Sequence, residues 1–489
     1  MRPIVLLVGM CWAAGGVAQP FLLDTTFRAN FDTWYVNDIQ PTIDGKIFLS
    51  GQIKFDGDQS FRRCAKLLGN GELDTEFPTF SQYTGGGTIT PWEDNFYVNA
   101  GGLPRRLGAD FLPDPLFQPL YNDPYFAYGS GGDYHVYPDG SLVIGGTNHL
   151  DDPARGFVGL YNFIWFTNTG RVDTTKTHRT GNGHMTFFKE LPDGKFIAYY
   201  GGNFYDGRPT SYIMRMHADG GLDTTFNTGV DWGFAFSFLP LADGRVYVGG
   251  VFTKADMPND TLHLIRFMPD GSLDPTFSNF HAFRMQELDG ISGGVTTIYP
   301  IDGNKLIVTG AFETIDGIPH NSIAFFDTTG TLLDLGESTG CGNYDYFNYT
   351  YGTISGITPN YDSTAYYIWG AYHGYNDGIT NDTLQRFVSR LTLVDLALGK
   401  KEPEVPARQF SLYPNPAYGD VTLSFDLPRR TNHGHVTVTD ATGRTMATHK
   451  LSGQQGQVLL DTRGWGAGLY TIACILDGTV VQTEKLMVP

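Results

Sequence analysis

The chain has 489 residues, with 33 basic and 51 acidic side chains, a formal charge of −18, and 62 glycines. So acidic a chain argues against a nucleic-acid partner, which needs cationic side chains against phosphate. With 14% aromatic and only 17% charged residues it is not a disordered chain, and tyrosine, phenylalanine, threonine and valine set among glycine turns point to an all-β class.

The N-terminus reads as an address. Arg2 precedes an apolar run over residues 4–14, and Gly16-Val17-Ala18 places small residues where a signal peptidase cuts. Residues 1–18 are therefore expected to be a secretory signal peptide cleaved after Ala18. Cys11 lacks the small residue before it that a lipoprotein signal requires. No later stretch reaches the roughly 18 apolar residues of a transmembrane segment. Cleavage leaves Cys64, Cys341 and Cys474. Three thiols cannot all pair, so buried free cysteines are expected, with a Cys64–Cys341 bridge as the alternative.

From residue 21 onward two patterns recur. The first is an Asp-Gly turn followed by an apolar run and glycine, as at Asp44-Gly45, Asp139-Gly140, Asp193-Gly194, Asp243-Gly244 and Asp302-Gly303, with weaker copies at Asp94-Asn95 and Asp362-Ser363. The second is Leu-Asp-x-Thr-Phe, clearest at residues 23–27, 73–77, 222–226 and 273–277. Turns such as Asn70-Gly71, Asp219-Gly220 and Asp270-Gly271 precede the later copies and suit two-residue hairpins. Each unit of about 53 residues thus holds four short antiparallel strands, the pattern of a propeller blade. Seven turns imply seven blades. The spare Leu-Asp-x-Thr-Phe at residues 23–27 should supply the outer strand of the last blade, beside residues 386–394, and close the ring. A basic residue lies eight positions before the Asp in Lys66/Asp74, Arg106/Asp114, Arg215/Asp223 and Arg266/Asp274. These are expected to be structural ion pairs, with Arg390 meeting Asp24 across the closure. On these motifs residues 21–398 resemble the delta-sixty repeat family, which implies a propeller and no particular reaction.

Between Tyr344 and Tyr375 nine tyrosines fall in 32 residues, with Phe347 and Trp369 among them. Tyrosine and tryptophan present an apolar face and a polar tip to sugars or proteins. Tyr344, Tyr346, Tyr349, Tyr351, Trp369 and Tyr372 are therefore the candidate ligand-binding residues, the alternative being that half of them point into the blade.

Residues 399–408 are charged and proline-bearing, a linker by composition. Residues 409–489 then alternate apolar and polar between glycine turns, as a small Ig-like β-sandwich would. Leu412-Tyr413-Pro414-Asn415-Pro416, Asp440-Ala441-Thr442-Gly443-Arg444, Gly466-Ala467-Gly468-Leu469-Tyr470 and the closing Glu484-Lys485-Leu486-Met487-Val488 stand in order here. This segment resembles the type A C-terminal sorting domain of the Bacteroidetes type IX secretion system. The resemblance implies export across the outer membrane, with Tyr413, Pro414, Asn415, Pro416, Gly443, Gly468, Tyr470 and Lys485 carrying the sorting signal.

No motif assigns a catalytic residue. His-Glu-x-x-His, zinc-spaced cysteines and Gly-x-Ser-x-Gly are absent, and the Asp-Gly turns lack the serine and tryptophan of sialidase-type Asp boxes. Asp56-Gly57-Asp58 is a fragment of a calcium loop without the remaining ligands. Asp151-Asp152 reads as a solvated turn, and His178, His184, His433 and His435 as scattered surface histidines. The sequence predicts an all-β protein, a seven-bladed propeller over residues 19–398 followed by the sandwich, exported to the cell surface or the medium. It is expected to be a non-enzymatic monomer without metal or cofactor, with the type IX machinery and an extracellular glycan or protein as partners. A secreted hydrolase acting on polysaccharide or peptide is the alternative class, and a structural surface-layer component a third.

Overall fold

The Asp-Gly turns at residues 44–45, 139–140, 193–194 and 243–244 begin hairpins in the computed structural model, which describes residues 21–77, 86–285, 291–301, 304–333, 340–346, 349–393, 410–417, 419–442, 444–476 and 479–489, so that Asp302-Gly303 lies outside them. The signal peptide with its cleavage site at Ala18, the linker over residues 399–408, and Gly443 lie outside these residues. At the first turn Gly45 N–H donates to Thr42 O at 3.0 Å, with a φ of 73° that glycine adopts without strain. The strands on either side, Asp32–Pro41 and Ile47–Lys54, pair antiparallel. The chain divides into two compact units, residues 1–399 and 400–489, and no α-helix occurs among the described residues.

The first unit is built from antiparallel three-stranded modules, seven of them among the described residues. The first has Asp32–Pro41, Ile47–Lys54 and Arg62–Leu67, and the fifth has Val230–Pro240, Val246–Lys254 and Met257–Phe267. A fourth, outer strand is reduced to one bridge in six modules, for example Leu67 with Leu73 and Phe267 with Leu273. In the seventh, Phe21–Leu23 takes that place beside Asn381–Leu393, with Leu23 opposite Leu391. The permuted repeat anticipated this pairing. Seven apolar clusters lie between successive modules rather than within any one of them. One joins Phe27, Ile39 and Leu49 of the first module region to Tyr367 and Val388 of the last. The remaining clusters join each module to the next. A sheet buries both faces this way, which explains strands as uniformly apolar as Phe196–Tyr200.

The recurring Leu-Asp-x-Thr-Phe motif clamps neighbours together. Arg266 Nε donates to Asp274 Oδ2 at 2.7 Å, and Arg266 Nη1 reaches the carbonyl of Thr328 in the next module at 2.6 Å. Asp274 Oδ1 accepts from the backbone N–H and hydroxyl of Thr276, and the guanidinium lies over Phe277 at 5.0 Å. Arg106, Arg215 and Arg390 repeat the arrangement, reaching the carbonyls of Asn168, Pro269 and Gly69 at 2.8, 2.7 and 2.6 Å. Arg390 pairs with Asp24 at 2.7 Å, as expected across the closure.

The first module departs from the expectation. Lys66 pairs with Asp44 at 2.9 Å, and Asp74 is taken by Lys46 at 2.8 Å. A guanidinium fork can hold its Asp and the neighbouring carbonyl together, whereas an ammonium is a single point charge. Lys66 instead lies over the Phe111 ring of the second module at 4.7 Å. In the third module Trp165 stands in the arginine's place and packs on Gly220. The sixth module puts Phe325 there, 5.5 Å from Phe21, because the closing strand offers no hairpin carbonyl to grip.

The second unit holds five strands, with Asp420–Thr439 pairing with Phe410–Tyr413, Thr445–Asp461 and Gly468–Leu476. The register between the two long strands shifts over residues 426–434. Alternate residues Val421, Leu423, Val436, Val438, Leu460, Ile472 and Leu486 form its core.

Candidate functional site

The innermost strands share a defect that builds a site. Pairing slips by a residue between Val36 and Asp38, Met185 and Phe187, Ala235 and Ser237, Val295 and Thr297, and Ile354 and Gly356. A bulge of this kind re-aims side chains. The glycines of the repeat make room for it. A Cβ on Gly51, Gly250 or Gly310 would fall 2.5, 2.1 or 2.0 Å from the carbonyl oxygen of Tyr35, Phe234 or Gly294. The repeat's glycines therefore serve the bulges, and the bulges face a central cavity of about 910 Å³ lined by residues of all seven modules.

Its lining mixes polar and apolar surface, the apolar share being the larger. Asn37, Thr88, Asn99, Thr186, Thr296, Thr297 and Ser355 supply amides and hydroxyls, and Arg63 and Arg105 lie on the wall of the first two modules. Tyr35, Phe187, Phe236 and Trp369 add rings. Asp38 and Asp133 are the carboxylates. Asp38 accepts from the N–H of Ile39 and from that of Ile89 in the next module, both at 2.8 Å. Asp133 accepts from its neighbour Tyr134 N–H at 2.9 Å and from Phe188 in the next module. Ser237 makes the same link to Ile298 N–H without a charge. Burial pushes the Asp38 carboxyl up to about 7, helped by the charge of Asp133, and pushes Asp133 up to about 6. At the rim, His184 sits between the hydroxyls of Ser130 and Thr186, each 3.0 Å from a ring nitrogen.

The tyrosine-rich segment divides. Trp369 lines the cavity, its ring edge tied by Nε1 to Asn37 O at 3.0 Å. Tyr344 is half-buried and donates to Thr33 O at 2.8 Å, and Tyr351 is half-buried. Tyr372 is wholly buried with its hydroxyl 2.9 Å from Ser389 Oγ, so it packs the blade and offers no outward face. The side chains of Tyr346 and Tyr349 lie outside the described residues.

Other residues singled out in the sequence have structural places. His178 is buried among Phe157 and Trp165, and burial pushes it down to about 4, which corrects the reading of a surface histidine. The oxygens of Asp58 are occupied by Phe55 N–H and the Arg62 guanidinium, and Asp152 by Arg155 at 2.6 Å. Cys64, Cys341 and Cys474 are buried thiols. Among the described residues no cluster of histidine, cysteine and carboxylate could hold a metal.

In the second unit Tyr413 is 79% exposed, and Asn415 joins the last strand by bonds to Lys485 O at 2.8 Å and Met487 N–H at 3.0 Å. Pro416, Gly468 and Lys485 are exposed and Pro414 is half-buried. Tyr470 is buried, its hydroxyl on Gly466 O at 2.7 Å and its ring against Trp465.

Residues 191–226 and 241–277 match the DUF5122 β-propeller, a domain of unknown function. Residues 411–489 match the secretion system C-terminal sorting domain. The chain is a β-propeller with a type IX sorting tail. That tail directs export by the type IX system to the cell surface or the medium. No helix among the described residues is long and apolar enough to cross a membrane.

No curated protein matches the chain. Solved structures align at low similarity. PorZ, a surface component of the type IX system of Porphyromonas gingivalis, is 14% identical with a TM-score of 0.34, over 95% of this chain and 60% of its own. The extracellular domain of BT4673 from B. thetaiotaomicron is 11% identical with a TM-score of 0.36, over 96% and 61%. A protein of unknown function from Bacteroides caccae is 10% identical with a TM-score of 0.31, over 62% and 93%. The chain spans about three fifths of the length of the first two.

Apart from Trp369, the cavity residues escaped the sequence reading. Asp38, Thr88, Asp133, Phe187 and Ser237 each stand six positions before a turn aspartate. Aligning the repeats on that aspartate and looking for the column that varies most in chemistry would have found them.

Proposed function

We propose that the exported propeller is a non-enzymatic binding protein whose central cavity takes a glycan. Residues 19–398 form its ring of seven blades, and residues 409–489 form a separate sorting sandwich. The observation that carries this reading is the cavity lining. Amides and hydroxyls from several modules face the same space as Tyr35, Phe187, Phe236 and Trp369. A sugar ring presents hydroxyls at its rim and C–H groups on its face, and this wall answers both. From the tyrosine-rich segment the reading keeps Trp369.

The test is a glycan array followed by calorimetry on the mature full-length chain. Retained glycans should bind about tenfold more weakly to Asn37→Ala and Thr296→Ala. An array with no retained glycan, or binding indifferent to both substitutions, overturns the reading, and capture of a protein ligand alone would replace it.

Asp38 and Asp133 favour one second reading, hydrolysis of a bound glycan, because two carboxyls that titrate near neutrality share the cavity. Against it, backbone N–H groups of two modules already engage each of them, and the N–H of the next module engages Ser237 in the same way. Release of reducing ends by the wild type and its loss in Asp38→Asn would establish the hydrolase.

A further inference from the structure

A row of rings leads into the cavity along the inner strand of the fifth module. Trp232 and Phe234 are 58% and 51% exposed. Their partners Thr253 and Val251 are two apart with Gly233 opposite Phe252 between them, so both side chains project from one face of the strand. Phe236 follows at the bulge, its ring plane within 6° of Phe234 and the centroids 6.1 Å apart. Phe187 stands edge-on to Phe236 at 6.0 Å, and these last two rings line the cavity. The row is held from behind. Tyr199 packs on Phe234 at 5.6 Å and donates its hydroxyl to Gly233 O at 2.6 Å.

This row is not part of the repeat. Four and two positions before the bulge, other modules carry Thr33 and Tyr35, Asn182 and His184, and Tyr351 and Thr353. The bulge residues there are Asn37, Thr186 and Ser355. Only the fifth of these modules is aromatic at all three positions. Architecture repeats and explains Arg266 or Gly250; it does not explain Trp232 or Phe234. Neither ring closes a core, and leaving two large aromatic faces in water carries a cost that packing does not recover.

We infer that Trp232, Phe234 and Phe236 are successive stacking subsites for a linear glycan whose terminal sugar occupies the central cavity. The inference rests on the glycan reading above and narrows it from a sugar to a chain held by its end. The rings follow one another at every second residue of the strand, with the Phe234 and Phe236 centroids 6.1 Å apart, a run of aromatic surface at a spacing that suits consecutive sugars. They end on a wall of hydroxyls and amides, where a chain end with its additional hydroxyls finds hydrogen-bond partners.

The test uses the mature full-length protein and each linear glycan that the array retains, titrated as one-, three- and six-sugar forms. The six-sugar form should bind at least about tenfold more tightly than the single sugar. Trp232→Ala and Phe234→Ala should each remove most of that gain and leave single-sugar affinity unchanged, and the indole emission shift on six-sugar binding should vanish in Trp232→Ala. Both rings are exposed, so the variants should keep the wild-type melting temperature. Equal affinity for one and six sugars, or full six-sugar affinity in both variants, overturns the stacking subsites and leaves the cavity reading standing. An array that retains no glycan overturns the cavity reading and the subsites with it.

Discussion

Replacing Arg106 by methionine tests the clamp between modules. Arg106 is buried and holds three groups, Asp114 at 2.7 Å, the Asn168 carbonyl of the next module at 2.8 Å and the Tyr97 hydroxyl at 3.1 Å. No second cation reaches Asp114 among the described residues. Methionine keeps the apolar bulk between Trp92 and Phe117 but leaves a largely buried carboxylate without its partner. Removing one member of a buried pair costs about 3–5 kcal/mol. The same substitution at Arg266 leaves Asp274 paired with Arg245 at 3.0 Å. The bonds from Arg266 to Asp274, Thr328 O, Tyr247 and Thr276 are then lost, but no carboxylate is stranded, so the net cost should be about 2–3 kcal/mol. Urea unfolding of the mature chain, followed by tryptophan emission, should therefore rank Arg106→Met below Arg266→Met. Adding Asp114→Asn to Arg106→Met should recover more than half of the loss. A cost under about 1 kcal/mol for Arg106→Met, the range of a solvated surface pair, would refute the clamp, as would failure of Asp114→Asn to compensate.

Stability should depend on pH from two directions. Asp38 and Asp133 have carboxyls raised to about 7 and 6 in the folded state. The native protein thus holds protons that the unfolded chain releases, and stability falls as pH rises from about 4 through 7. Asp38→Asn should flatten that slope in thermal melts across the range. Asp44, Asp223 and Asp274 are lowered by bonds from Thr42, Thr225 and Thr276 and from their basic partners, so their contribution is present above about pH 4 and lost on further acidification. Gly250→Ala, whose Cβ would fall 2.1 Å from Phe234 O, should lower the melting temperature and weaken cavity binding together, because the bulge must shift. Cys64, Cys341 and Cys474 should resist a thiol reagent in the native protein and react in urea, since all three are buried and burial pushes Cys64 and Cys341 up to about 12. Deleting residues 408–489 should leave the propeller in the periplasm, as fractionation and immunoblotting would show.

Much of the architecture was legible because it repeats. Asp44-Gly45 and its copies announce turns through local backbone chemistry, and the isolated motif at residues 23–27 announces a closing strand because a ring has to pair its two ends. The Arg-Asp spacing of eight forecast Arg106, Arg215 and Arg266 correctly, since one hairpin fixes that geometry, and the closing strand forecast Arg390 with Asp24. It failed at Lys66, where the outcome depends on a carbonyl and a ring in the neighbouring module.

The 62 glycines that marked the composition are in good part the turns and bulge partners of this repeat. The site was illegible because its residues repeat in position and differ in identity. Asn37, Thr186 and Phe236 have no motif in common, and what gathers them is a bulge at the same height in their inner strands. Tyr372 shows the converse. Composition drew attention to Tyr372, and strand alternation turned it into the core. Sequence by itself determined the repeat, the closing strand and the export tail, all local or periodic. Tertiary structure alone decided which side chains face the cavity, because that depends on pairing register summed around a ring.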